Sequence, residues 1–269
     1  SSNLKFKKKA LNAGIAIAKY NHLIFTDVDC RVNPNWISSI LKNYVSSEYI
    51  IGYSEVLSSK TIVSKFQSID FRMLMLSAFS STSLGFPLAC SGQNQSYKKS
   101  LFSSVGGFSR IEQLLQGDDS LFLQVCKKIK NIKVSFSFDS DSFVRAKTYN
   151  HWKGFILQRM RWAGDANIMW KFNKVFFALI ISTFLANLFF LLGIFLPLIE
   201  PSLFKYLTLL FSIKFILEFS LYILGSKKLN LKICLPQFII WFFIQIPYVV
   251  LMGFLSFFTY KLSWKERGQ

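Results

Sequence analysis

Asn21 to Arg31, NHLIFTDVDCR, is a short apolar run that ends in two carboxylates, Asp27 and Asp29. Leu23, Ile24 and Phe25 follow one another without a polar break, the pattern of a strand buried on both faces of a sheet. The acids stand at its exit. Ligands of an open parallel sheet bind just outside the carboxyl ends of its strands, so an Asp-x-Asp placed there is aimed at a site. Two carboxylates one residue apart can hold Mg or Mn, whose other positions go to substrate phosphates. Asp is also common wherever a strand turns into a loop, and a plain turn is the competing reading.

Around this stretch the chain alternates. Lys5 to Lys19 has helical spacing, with Leu11, Ile15 and Ala18 on one face. Asn33-Pro34 predicts a helix start with a capping side chain and Pro at the first position, and Ile37, Ile40, Leu41, Tyr44 and Val45 continue it. Tyr49 to Tyr53 reads as a second strand, and this rhythm is that of an α/β sheet. Thr61 to Ser80 is a longer helix with Phe66, Ile69, Met73 and Leu76 on one face. Its further apolar residues Phe71, Leu74 and Met75 fit either a helix on the membrane surface or a well-buried one.

Three later segments carry candidate chemistry. In SGQNQSYKKSLFSSVGGF, Ser91 to Phe108, Gly92, Gly106 and Gly107 flank Asn94, Tyr97, Lys98 and Lys99, which suggests backbone close to a ligand or tight turns. Gln116-Gly117-Asp118-Asp119 opens a helix, and its acids read equally as caps or as a catalytic base. Ile132, Val134, Phe136 and Phe138 alternate with polar residues as in a half-buried strand. In HWKGFILQRMRWAGDANIMW, His151 to Trp170, Gln158, Arg161 and Trp162 fall on one helix face. Amide, guanidinium and indole together can bind a diphosphate and stack on a sugar, or form an aromatic belt at a membrane surface. His151 has no partner at metal-binding spacing and is read as structural.

The 52% hydrophobic content and mean hydropathy of +0.35 are concentrated after Lys174. Val175 to Leu198 and Leu235 to Tyr260 are charge-free and long enough to cross a bilayer core of roughly 30 Å. Phe204 to Leu224 is a third span, carrying Lys205, Lys214 and Glu218; Lys214 and Glu218, four apart, share a helix face. The net charge of +18 is dispersed rather than gathered with aromatics, which argues for anionic lipid headgroups and against nucleic acid. Lys171, Lys174, Lys227, Lys228 and Lys232 fit an inward-facing catalytic part and an inward-facing loop, whereas three crossings put Lys261, Lys265 and Arg267 outside, so either that tail tolerates export or one span is re-entrant. The four cysteines have no zinc spacing and read as free thiols.

Taken in order, DVDC, GQNQSYKK with VGGF, GDD, QRMRW and the spans resemble the membrane-bound family 2 glycosyltransferases of the GT-A fold, over nearly all of the chain. That resemblance implies a mostly parallel α/β sheet in a catalytic domain over residues 1–172 and a membrane domain over 173–269. It implies that Asp27 and Asp29 hold Mg or Mn on the diphosphate of a nucleotide sugar, a UDP-sugar by preference. Asp118 and Asp119 match the acidic pair that supplies the general base, with Asp119 preferred. Gln158, Arg161, Trp162, Asp27, Gly92 and Asn94 would contact donor diphosphate and acceptor, and Ser96 stands where the family usually has Ala.

The expected activity is inverting transfer to a lipid-linked or membrane-proximal glycan acceptor. The nucleotide-binding units that open the family's domain do not precede Lys5, so an amino-terminal truncation is expected, and the activity is expected of the intact protein rather than of the fragment alone. The Lys, Phe, Ile, Asn and Ser bias points to a bacterial inner membrane with the domain cytoplasmic. A membrane-anchored glycan-binding or assembly protein that kept the fold without chemistry is the alternative, and a pore using Lys214 and Glu218 is a third reading.

Overall fold

The computed structural model describes Leu4, residues 6–114 and residues 116–261. Lys265 and Arg267 lie outside the described residues. The chain divides into two compact units, Ser1–Leu57 with Phe71–Thr148, and Ser58–Asp70 with Tyr149–Gln269.

The first unit is the α/β part. Helix α1 (Phe6–Ile17) buries Ile15 and leads into β1 (His22–Phe25). After β2 (Arg31–Val32) comes α2 (Trp36–Lys42), then β3 (Tyr49–Gly52) and β4 (Ser54–Val56). Helix α3 (Ile62–Ser83) is followed by β5 (Gln95–Lys98), α4 (Lys99–Ser104), α5 (Ser120–Cys126), β6 (Val134–Ser137) and β7 (Val144–Ala146). Helix α2 starts later than its sequence suggests. Asn33 Oδ1 accepts from the backbone N–H of Asn35 at 3.0 Å, so the side chain closes a turn ahead of the helix instead of capping it.

The sheets depart from a mostly parallel arrangement. One has the order β1-β5-β3-β6, with β5 antiparallel to both β1 and β3 and only β3 and β6 parallel. The other has the order β2-β7-β4, with β7 antiparallel to β2 and parallel to β4. Apolar patterning records which residues avoid water and is silent on strand direction, so the intrusion of β5 between β1 and β3 left no trace in it. For the same reason β1 is not buried on both faces. Among the described residues it pairs only with β5, and while Leu23 is buried, Ile24 and Phe25 are half-buried.

The core gathers around β3 and β5, where Tyr49, Ile50, Ile51 and Tyr97 are wholly buried. Tyr97, Phe102, Phe108 and Phe122 pack ring to ring, with centroids 5.0 Å apart for Tyr97–Phe122 and 5.1 Å for Phe108–Phe122. Each such ring stabilises the fold by about 2–3 kcal/mol through burial. The Tyr49 hydroxyl donates to Gln95 Oε1 at 2.5 Å, which removes the cost of burying it. Helix α3 buries Phe66, Ile69, Met73 and Leu76 and also Phe71 and Met75, leaving Leu74 exposed. Its apolar excess is therefore mostly buried packing.

The second unit holds α6 (Trp152–Ala166), α7 (Lys174–Gly193), the short α8 (Leu196–Ile199), α9 (Phe204–Lys228) and α10 (Leu235–Leu255), together with the Ile62–Asp70 part of α3. Its start at Tyr149 puts α6 with the apolar helices, earlier than the expected boundary after residue 172. Phe155 of α6 stacks on Tyr248 of α10 at 5.5 Å. Three stretches, Lys174–Ile199, Pro201–Lys228 and Leu235–Phe258, are long and apolar enough to cross a membrane. Their inner contacts are aromatic, as between Phe211 and Phe242 at 5.1 Å and Tyr222 and Phe238 at 4.9 Å. At Gly253 a Cβ would lie 2.3 Å from a Phe184 ring carbon, so the absent side chain lets α7 and α10 approach.

Candidate active site

The acidic pair is presented by a turn that only glycine makes easily. Gly117 has φ +97°, and a Cβ on it would meet Leu121 Cδ1 at 2.7 Å. Asp118 and Asp119 follow at once, and Asp119 is the N-cap of α5, its Oδ1 accepting from the Ser120 N–H at 2.6 Å. The two readings of Asp119, helix cap and poised base, are thus compatible, because a carboxylate has a second oxygen. That oxygen, Oδ2, accepts from the backbone N–H of Gly92 at 3.3 Å.

The loop ahead of Gly117 is held from below. Lys8 is wholly buried and its ammonium donates to the carbonyls of Ile111 at 2.7 Å and Gln116 at 2.8 Å, and also to that of Leu114. Its neighbour Lys7 points to the acids, with Nζ 2.9 Å from Asp27 Oδ1 and 3.0 Å from Asp118 Oδ2. Burial works against the charge on Lys7, but the Asp118 and Asp27 carboxylates outweigh it and hold the ammonium above the ordinary lysine range. A Cβ on Gly92 would stand 3.0 Å from Lys7 Nζ, 3.4 Å from Asp118 Oδ2 and 3.6 Å from Asp119 Oδ2. Gly92 is therefore where the segments meet, and its N–H serves the site directly.

Burial, then the neighbouring Asp118 charge, push the Asp119 carboxyl up to about 6, with Lys7 and the N–H groups of Ser120 and Gly92 pulling the other way. Asp29 is exposed, with its Oδ1 3.9 Å from Cys30 Sγ. The structure thus brings Asp27, Gly92, Asp118 and Asp119 together around Lys7. Among the described residues no group of three or more His, Cys, Asp or Glu side chains could hold a metal. Asp27 and Asp29 offer only carboxylate oxygens, a donor set that fits a hard cation sharing its remaining positions with water and phosphate rather than one caged by protein.

Asn94 has a different place from the expected donor contact. It is wholly buried, accepts from Trp36 Nε1 at 3.2 Å, and donates to the carbonyls of Tyr53 and Ser142, each at 2.8 Å. Its amide ties α2, the link between β3 and β4, and the turn before β7 into one core.

In the second unit, α6 carries Gln158, Arg161 and Trp162, all half-buried. Gln158 Oε1 lies 3.4 Å from Gln67 Nε2, and Gln67 Oε1 accepts from the Tyr149 N–H at 2.8 Å. Arg159, between the motif residues, is buried with its Nη2 2.7 Å from Asp70 Oδ2, and its guanidinium lies 4.2 Å from the Trp162 ring centre. Burial pushes the Asp70 carboxyl up, and Arg159 opposes that shift. Sequence reasoning missed Lys7, Lys8, Asp70 and Arg159. Lys8 lies three and seven residues before Leu11 and Ile15, and Arg159 four after Phe155, so the position of each on a buried helix face was available as a signal.

An acidic cluster in the first unit and, in the second, three helices long and apolar enough to cross a membrane are the parts that a membrane-associated group-transfer enzyme needs. The family model described as glycosyl transferase family 21 matches residues 2–268, and the chain belongs to that family. It is thus a glycosyltransferase, in family 21 rather than the family 2 that the motifs suggested. No curated protein matches the chain.

Proposed function

We propose that the chain transfers a sugar from a nucleoside diphosphate to the hydroxyl of a lipid-linked or membrane-proximal glycan acceptor, with inversion at the anomeric carbon. The observation that carries this reading is the convergence of Asp27, Asp118 and Asp119 on Lys7 and Gly92, from segments far apart in sequence. In this reading Asp119 takes the proton of the acceptor hydroxyl as its oxygen attacks the anomeric carbon and the bond to the diphosphate breaks. A base held near 6 is deprotonated at neutral pH and still basic enough to accept that proton. Asp27 and Asp29 would hold Mg or Mn, and the bound ion supplies positive charge to the leaving diphosphate.

The basic residues at the membrane support an orientation. Lys171 precedes α7 and Lys174 opens it, while Lys227 and Lys228 close α9 and Lys232 follows it, ends that share one side if α7, α9 and α10 cross in turn. We assign that side to the cytoplasm of a bacterial inner membrane.

The test is release of nucleoside diphosphate and sugar transfer by the full-length protein in membranes, across a panel of nucleotide sugars, with and without manganese. Release from one donor that requires manganese is expected. A folded protein that turns over no donor would overturn the proposal.

A further inference from the structure

Lys7 occupies the place where the acids most need a cation. Its single ammonium stands 2.9 Å from Asp27 Oδ1 and 3.0 Å from Asp118 Oδ2, so it links the Asp-x-Asp to the acidic pair. Gly92 keeps the space beside it clear, since a Cβ there would stand 3.0 Å from the ammonium. The adjacent Lys8 anchors the loop carrying Asp118 to the same turn of α1, so Lys7 is delivered to the cluster by a fixed base.

We propose that Lys7 is a built-in competitor for the divalent cation: it neutralises Asp27 when no donor is bound and gives it up only when a diphosphate arrives. Two cations cannot share one carboxylate oxygen at close range without mutual repulsion. A nucleoside diphosphate changes that balance, because its phosphate oxygens offer the ammonium a new partner while also completing the metal's coordination. Metal and donor then bind together, and metal alone binds weakly. Lys7 is a positioning residue in this scheme, and the inference rests on the proposed metal role of Asp27 and Asp29.

The test is manganese titration of the full-length protein in detergent, read by the electron paramagnetic resonance signal of free Mn, with Mn alone and with each of a panel of nucleoside diphosphates. In the unaltered protein a nucleoside diphosphate should tighten Mn binding by about tenfold or more. Lys7→Met should bind Mn alone about tenfold more tightly than the unaltered protein and lose most of the nucleotide effect. Lys7→Gln, also neutral, should do the same, and Lys7→Arg should keep the unaltered pattern.

If the unaltered protein binds Mn with nucleotide but both neutral variants bind Mn alone no more tightly than it does, the competition is overturned and the metal role of Asp27 and Asp29 stands. If neither the unaltered protein nor the variants bind Mn with any nucleotide, the metal reading falls and the inference falls with it.

Discussion

The backbone N–H of Gly92 donates to Asp119 Oδ2 across 3.3 Å, which ties the glycine of one segment to the acid of another. This bond and the one from Ser120 favour the charged carboxylate, but burial and Asp118 outweigh them and leave it near 6. A base works only when deprotonated, so kcat/KM should fall as the pH drops through about 6 and level off above it. Asp118→Asn removes a like charge that raises Asp119, and should move that acid limb to lower pH. A pH profile of transfer by both proteins checks this.

Asp119→Asn separates chemistry from folding. Asn caps a helix as well as Asp does, so the start of α5 should survive. Transfer should fall by roughly 10²–10⁴-fold with donor binding retained. Transfer at the original rate would remove Asp119 from the reaction.

Lys8→Met leaves the buried carbonyl of Ile111 and the part-buried carbonyls of Leu114 and Gln116 without their ammonium donor. The expected cost is about 1–3 kcal/mol, set mainly by the buried Ile111 carbonyl, which loses its charged donor. Thermal unfolding should register it, and limited proteolysis should find the 111–117 loop newly open.

Asp70 and Arg159 form a buried pair at 2.7 Å. Removing one partner, as in Arg159→Met, should cost about 3–5 kcal/mol, whereas Asp70→Leu with Arg159→Met should recover much of it. A double-mutant cycle on thermal stability measures the coupling. Tryptophan fluorescence should also change in the single variants, because the Arg159 guanidinium lies against the Trp162 ring.

Lys214 Nζ lies 2.6 Å from Glu218 Oε1, and Gln245 Nε2 donates to Glu218 Oε2 at 2.6 Å, which joins α9 to α10. Lys214→Leu leaves the Glu218 carboxylate within a span without its cation, held among the described residues only by Gln245, and should lower thermal stability more than Lys214→Leu with Glu218→Leu. If the pair serves only packing, the double variant keeps transfer.

Much of this protein was determined by local sequence. The spans at 175–198, 204–224 and 235–260 were legible because a bilayer demands long apolar helices, a property of consecutive residues. The α/β alternation and the ordered acidic and Gln-x-x-Arg-Trp motifs likewise belong to consecutive residues, and they led to glycosyl transfer.

Only the tertiary structure decided the rest. Strand direction depends on which distant strand becomes a neighbour, so the antiparallel entry of β5 was hidden in its own residues. The opposite fates of Lys7 and Lys8 depend on which face of α1 meets the acids and which meets the 111–116 carbonyls. Asn94 and Arg159 sit inside or beside motifs that suggested ligand contact, yet they bond inward, to Trp36, Tyr53 and Ser142 in one case and Asp70 in the other. A motif fixes residue type and spacing, whereas the partner of a buried polar group is chosen by packing, which must satisfy it wherever it falls.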